Sequence, residues 1–256
     1  MKKILSSLAA AATLALASTS ALADFVPFTV NEGVVPNSAV HTFNADNMTG
    51  KYDELLGLTG PGSFSASAVG QIASYANGGT LINPTLLNNF EPTGYKLYAL
   101  FVATGNVTGP NTFEGTGGEL HIYVDADSNS SCSITSFTAL ATCANSGDDI
   151  EVGSSSVSFG TGNLSGPPGA FNIYFKQFTL TAFGATYWTG IDTLQFLLQT
   201  NGDIDGVSPD PTENPPPYSL TGDFSANFSL PEPGSLMLVG ASLLGLGLAS
   251  RRRQAK

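Results

Sequence analysis

An all-β fold, a β-sandwich or jelly-roll-like single domain, is what this chain of 256 residues predicts. Three observations carry the expectation. Helix signal is scarce away from the two termini. Gly, Ser, Thr and Asn are abundant throughout the middle of the chain. Short β-branched and aromatic runs recur between turn residues, about nine of them, which is the punctuation of a sheet protein. Nine strands with frequent turns argue a sandwich or jelly roll.

The runs come in order. Phe25 to Val30 reads as a first strand, and Tyr52 to Leu58 as a second. Ser63 to Ala76 places Phe64, Ala66, Ala68, Gly70 and Ile72 on one face, a period of two. Tyr95 to Thr104, YKLYALFVAT, is more continuously apolar and predicts a central strand. Glu119 to Val124 sets His121 and Tyr123 against Leu120, Ile122 and Val124. Ile150 to Phe159, Phe171 to Phe183 and Thr193 to Thr200 follow, and Ser219 to Leu230 alternates again. Pro209 to Pro217, PDPTENPPP, is a stiff connector too near the end to divide two domains.

Address labels flank this body. Residues 1–23 form a signal peptide. Lys2 and Lys3 are its basic region, Ile4 to Ala17 its apolar run, and Ala21-Leu22-Ala23 a small-x-small cleavage site. Cleavage between Ala23 and Asp24 leaves an exported body spanning 24–230. The last segment, 231–256, is organised as a tail signal. Pro231, Glu232 and Pro233 make a turn, an uncharged run of 18 residues extends from Pro233 to Ser250, and Arg251, Arg252 and Arg253 close it. As a helix that run spans roughly 27 Å, slightly less than the ~30 Å hydrocarbon core, so it predicts a marginal transmembrane anchor. The clustered arginines favour the cytoplasmic side, which places the body outside the inner membrane.

This three-part tail resembles the PEP-CTERM sorting signal of Gram-negative bacteria. The resemblance implies processing by an exosortase, a membrane-embedded cysteine transpeptidase. It would cut near the Pro-Glu-Pro turn and pass the body to the cell surface or extracellular matrix. Leu230-Pro231-Glu232-Pro233-Gly234 also looks like a sortase LPxTG signal, with Pro233 in place of the Thr whose carbonyl is attacked.

Charge narrows the partners. Six of the nine basic residues lie in the two labels, so the body keeps only Lys51, Lys96 and Lys176 against 19 acidic residues, a net charge of −16. Phosphate contacts need clustered Lys and Arg, which excludes nucleic acid. A cation-bridged contact to an acidic polymer remains open. Cys132 and Cys143 are the chain's two cysteines, and an even count in an exported protein reads as one disulfide; a metal pair lacks further Cys or nearby His ligands.

Chemistry-bearing patterns are sparse. There is no G-x-S-x-G elbow, no H-E-x-x-H and no Gly-rich phosphate loop, and His41 and His121 lie in unrelated contexts, so no enzyme is expected. Asp125, Asp127 and Asn129 leave a strand with oxygen ligands at alternate positions, as a calcium loop does, although Ser130 and Ser136 replace the EF-hand glycine and glutamate. Plain turn formation by Asp and Asn is the competing reading. Asp203-Ile204-Asp205-Gly206 is a second, shorter Asp-x-Asp turn, and Asp148, Asp149 and Glu151 are further ligand candidates. Tyr187 and Trp188 are candidates to stack on a sugar ring, against the alternative that they are core.

Segments of the body also bear a likeness. Phe43 to Asp46, Gly50 to Glu54, Tyr95 to Phe101 and Leu120 to Asp125 look like the flocculation-associated PEP-CTERM proteins of the PepA type. That resemblance implies a structural role in cell aggregation and biofilm together with exopolysaccharide. The alternative function is a carbohydrate-binding module on the same surface anchor.

Overall fold

The computed structural model describes residues 25–229, except 84, 90–93, 166–168, 192–196 and 210–216. The unit Phe25–Ser229 is compact and builds an apolar core from its own residues, so the body is a self-contained folding unit. The expected cleavage site at Ala23 and Asp24, the Pro231–Glu232–Pro233 motif, the apolar run, Arg251 to Arg253 and most of the proline-rich connector lie outside the described residues. Among the described residues no helix is long and apolar enough to cross a membrane.

Two short strands come first, β1 (Phe28–Asn31) and β2 (Thr42–Ala45). Two long ones follow, β3 (Asn47–Gly60) and β4 (Ser63–Asn77), then the short β5 (Thr80–Leu81). A second long pair is β6 (Lys96–Gly109) and β7 (Thr112–Asp125). A small hairpin, β8 (Ser131–Ser133) and β9 (Thr142–Ala144), precedes β10 (Ile150–Ser155), β11 (Val157–Asn163) and β12 (Gly169–Lys176). Then come β13 (Thr179–Leu180), a single helical turn α1 (Gly184–Tyr187) and β14 (Trp188–Thr189). The last strands are β15 (Leu197–Ile204), β16 (Gly206–Pro209) and β17 (Tyr218–Ser229).

All the pairings among the long strands are antiparallel. β3, β4, β6 and β7 pair in succession. β7 pairs with β10 along its C-terminal half and with β11 along its N-terminal half, so β10 and β11 act as one interrupted strand. β11 pairs with β12, β12 with β15 and β15 with β17. β17 then returns to β3, from Tyr218 opposite Leu56 to Ala226 opposite Met48. The sheet closes on itself as an eight-strand antiparallel up-and-down barrel. The expected sandwich or jelly roll therefore becomes a barrel at one long-range contact. Strand number and alternation are alike in these architectures; sequential strand order and the pairing of β17 with β3 separate them.

Local chemistry explains the turns and bends. Pro61 and Gly62 join β3 to β4, and Gly62 has φ of 77°, the type II position that glycine occupies without steric cost. Register shifts at Thr49/Gly50 and Thr104/Gly105 mark bulges, which add the curvature that closure needs. The run expected from Phe171 to Phe183 breaks at Gln177, whose φ is 55°.

Polarity follows the closure. On β17, Leu220, Phe224 and Ala226 line the interior, while Ser219, Thr221, Asp223 and Ser225 alternate with them and point outward. That is the reverse of a lipid-facing barrel. One barrel end is covered by the three-stranded sheet β14-β1-β2 with Phe28, Val30 and Trp188 buried beneath it. At this end Phe25 bridges Ser229 and the Val26 N–H donates to the Phe228 carbonyl at 2.9 Å.

Candidate functional site

The outer wall over β17, β3, β4 and β6 carries a polar groove of about 530 Å³. Outward positions supply it: Lys51 and Asp53 from β3, Gln71 from β4, Lys96 and Tyr98 from β6, and Asp223 from β17. Two of the body's three lysines are here, beside carboxylates and an amide, so one trough carries both donors and acceptors. A surface of that kind suits a hydroxyl-rich polymer better than an apolar ligand. The Tyr98 hydroxyl donates to Asp149 Oδ2 at 2.5 Å, and burial, reinforced by Asp149, pushes it above the ordinary tyrosine value.

The disulfide builds one rim. Cys132 and Cys143 are joined, with Cα atoms 3.9 Å apart across the β8–β9 pair. The loop they close folds back over the outside of the barrel. Ile134, Leu140 and Ala141 pack there with Val69, Tyr98 and Leu100, a small core on the wrong side of the sheet. The Phe137 ring lies over Gly57, where a Cβ would come within 2.7 Å of it, and the Phe137 carbonyl is 2.8 Å from Ser65 Oγ. This flap explains why Ser65 and Ser67, outward residues of β4, are buried.

The Asp125 segment is a turn that closes on itself. Asp125 is 0 % exposed, and its two oxygens accept from the Asn129 and Ser130 N–H groups at 3.2 and 3.0 Å. Asp127 accepts from the Asn129 side chain at 2.5 Å. Both Asp125 oxygens and Asp127 Oδ2 thus accept from amides, the work that Asp and Asn do in turns. Asp149 reaches the segment through Ser130 Oγ at 2.7 Å, and Glu151 pairs instead with His121 Nδ1 at 2.7 Å. The second Asp-x-Asp turn gathers more. Ligand atoms of Asp203, Asp205 and Asp223 lie within 4.8 Å of one another at one end of the groove.

Tyr187 and Trp188 are 0 % and 1 % exposed, which removes them as sugar-stacking rings: neither has an open face. They belong to a buried polar chain under the covering sheet. Trp188 Nε1 is 3.2 Å from the Tyr75 hydroxyl, Tyr75 is 2.8 Å from Tyr187, and Tyr187 is 2.6 Å from Tyr95. Tyr95 donates to Glu32 Oε1 at 3.1 Å. Glu32 also faces His41 Nδ1 at 2.6 Å and the Leu86 N–H at 2.9 Å. Burial pushes all three tyrosines above their ordinary value, so the chain consists of neutral hydroxyls ending on a carboxylate.

Two acidic groups escaped the sequence reading. Glu32 lies beyond the first strand, and nothing local marks it as buried. Glu54 was legible: in Tyr52 to Leu58 the period of two puts it on the same face as Tyr52 and Leu56, which point inward.

Against known proteins the chain stands apart: no family model, curated protein or solved structure matches it.

Proposed function

We propose that this is an exported, non-enzymatic structural protein of the cell surface or extracellular matrix. On this reading an exosortase sorts it by its Pro231-Glu232-Pro233 tail, and it associates with exopolysaccharide in cell aggregation and biofilm. The outer groove carries the polysaccharide part, since it offers lysine, carboxylate, amide and phenol groups along one open trough. The sorting part rests on the tail pattern, and the Phe25–Ser229 bridge supports it. A body whose two ends lie side by side can fold while both are still held at the same membrane. Calcium fits the same picture, because a body at −16 repels its neighbours and any anionic polymer until a cation intervenes.

Co-sedimentation with exopolysaccharide tests the groove. The body should pellet with the polymer, and Lys51→Ala with Gln71→Ala should reduce the pelleted fraction several-fold. Equal pelleting of both proteins would remove the groove from the account. A carbohydrate-binding module on the same anchor is the second reading, favoured by the Lys51, Gln71 and Asp223 side chains that share one groove. A glycan array separates the two: one defined oligosaccharide as ligand selects the module.

A further inference from the structure

Between the two ends of the barrel lies a second space, a cavity of about 150 Å³ in the lumen. An eight-stranded barrel either fills its interior with side chains or keeps room for one small ligand. Residue size decides the matter here. The inward residues of β4 and β6 include Ala66, Ala68, Gly70, Ala99 and Ala103. Two large rings take the space that side chains would need at glycines on neighbouring strands. Phe224 covers Gly50, where a Cβ would stand 2.7 Å from the ring, and Phe171 covers Gly202 at the same distance. Small residues on β4 and β6, and glycines opposite Phe224 and Phe171, leave space along the lumen. Separate clusters of buried apolar residues occupy the two ends, around Met48 and Leu198 at one and around Leu56 and Phe64 at the other, and the cavity touches both.

One carboxyl faces this space. Glu54 is half-buried and lines the lumen, alternating along β3 with outward residues as Tyr52 and Leu56 do. Its cross-strand neighbours are Ala68 on β4 and Leu220 on β17, and Leu56 follows it on its own strand. The one other titratable group lining the cavity is Tyr52, whose hydroxyl is taken by the Asp203 carbonyl at 3.0 Å. Among the described residues no hydrogen bond reaches the Glu54 carboxyl, and no Lys, Arg or His lines the cavity. Burial pushes its pKa up to about 7. A leucine would fill the position without that cost, so the carboxyl needs another reason to be there.

We propose that the barrel lumen binds a small apolar amine, whose ammonium group pairs with the Glu54 carboxylate while its hydrocarbon part fills the space beside Ala68, Ala99 and Phe224. Sign and size both select this class. An anion would meet a lone carboxyl inside a strongly acidic body, and a neutral hydrocarbon would leave that carboxyl unpaired. An apolar cavity near 150 Å³ takes a ligand about the size of benzene.

Benzylamine, toluene and benzoate are the probes, followed by calorimetry on the body at pH 8, where carboxyl and amine are both charged. Benzylamine should bind one to one, more weakly at pH 5, and benzoate should not bind. Glu54→Gln should weaken benzylamine at least tenfold while leaving toluene within about twofold. Ala99→Leu, which fills the lumen and keeps the carboxyl, should remove both. The proposal is overturned if benzylamine fails to bind the wild-type body, or if it binds Glu54→Gln or Ala99→Leu as well as wild type. Because the groove and its polymer are not involved, either result leaves the exopolysaccharide reading where it stands.

Discussion

The Tyr95 hydroxyl donates to the Glu32 carboxylate, and this bond sets the direction of every other in the buried chain. Each phenol has a single hydrogen. With Tyr95's hydrogen on Glu32, Tyr187 must donate to Tyr95, Tyr75 to Tyr187, and the Trp188 N–H to Tyr75. The relay is fully ordered and ends on Glu32 Oε1 as acceptor. It ties the covering sheet, through Trp188 on β14, to β4 and to the start of β6.

Removing the acceptor should therefore loosen the barrel end. Glu32→Ala strands the Tyr95 O–H, the Leu86 N–H and His41 together, and should cost about 3 kcal/mol. Tyr187→Phe breaks the middle and should cost about 1–2 kcal/mol. Urea unfolding followed by the emission of Trp188, the chain's one tryptophan, measures both. That emission should start blue-shifted and stay unchanged when polysaccharide is added, because the ring is buried. A Glu32→Ala variant as stable as wild type would show that the network does not hold the sheet in place.

Glu54 makes stability fall as pH rises. Burial lifts its carboxyl from the ordinary 4.5 to about 7, so the folded state holds the proton more tightly than the unfolded chain. Its contribution is complete below about pH 4.5 and is lost progressively up to about pH 7. Glu54→Gln should abolish that slope and exceed wild type by about 3 kcal/mol at pH 8. Unfolding curves at pH 4, 6 and 8 check this, and a constant difference between the two proteins would contradict it.

The disulfide should matter to the flap more than to the barrel. Cys132→Ser with Cys143→Ser should cost up to roughly 3 kcal/mol in the chain-entropy model while leaving far-ultraviolet dichroism unchanged. Limited proteolysis should then cut between Ile134 and Leu140, where wild type resists. Cleavage within β4 or β6 instead would mean that the flap holds the barrel itself together.

Calcium should raise the melting temperature through the Asp203, Asp205 and Asp223 cluster. Asp203→Asn with Asp205→Asn should abolish the rise. Asp125→Asn with Asp127→Asn should keep it, at a lower starting temperature, because that turn weakens its own amide caps. If millimolar calcium changes neither melting nor self-association, the metal has no part in the account.

Most of the β character was visible in the chain because alternation is local. Ser63 to Ala76 and Ser219 to Leu230 coincide with β4 and β17 to within a residue or so. Closure was not visible, because the pairing of β17 with β3 joins the two ends of the body and leaves no local trace. Tyr187 and Trp188 show the same limit from the other side. A strand-edge aromatic pair reads alike whether it faces solvent or core, and only the covering sheet decides between them. The groove assembles from four strands and a turn, so no single stretch announces it.

The claim that the body is sorted by its tail is tested most directly by the intact mass of the mature protein recovered from the surface of its own cells. The account predicts a chain that begins at Asp24 and ends at or beside Pro231-Glu232-Pro233, with any added mass belonging to the acceptor. Alanine at all three positions should leave a membrane-held precursor that still ends at Lys256. A mature surface protein that retains Arg251 to Lys256, or normal release of the triple variant, would contradict it.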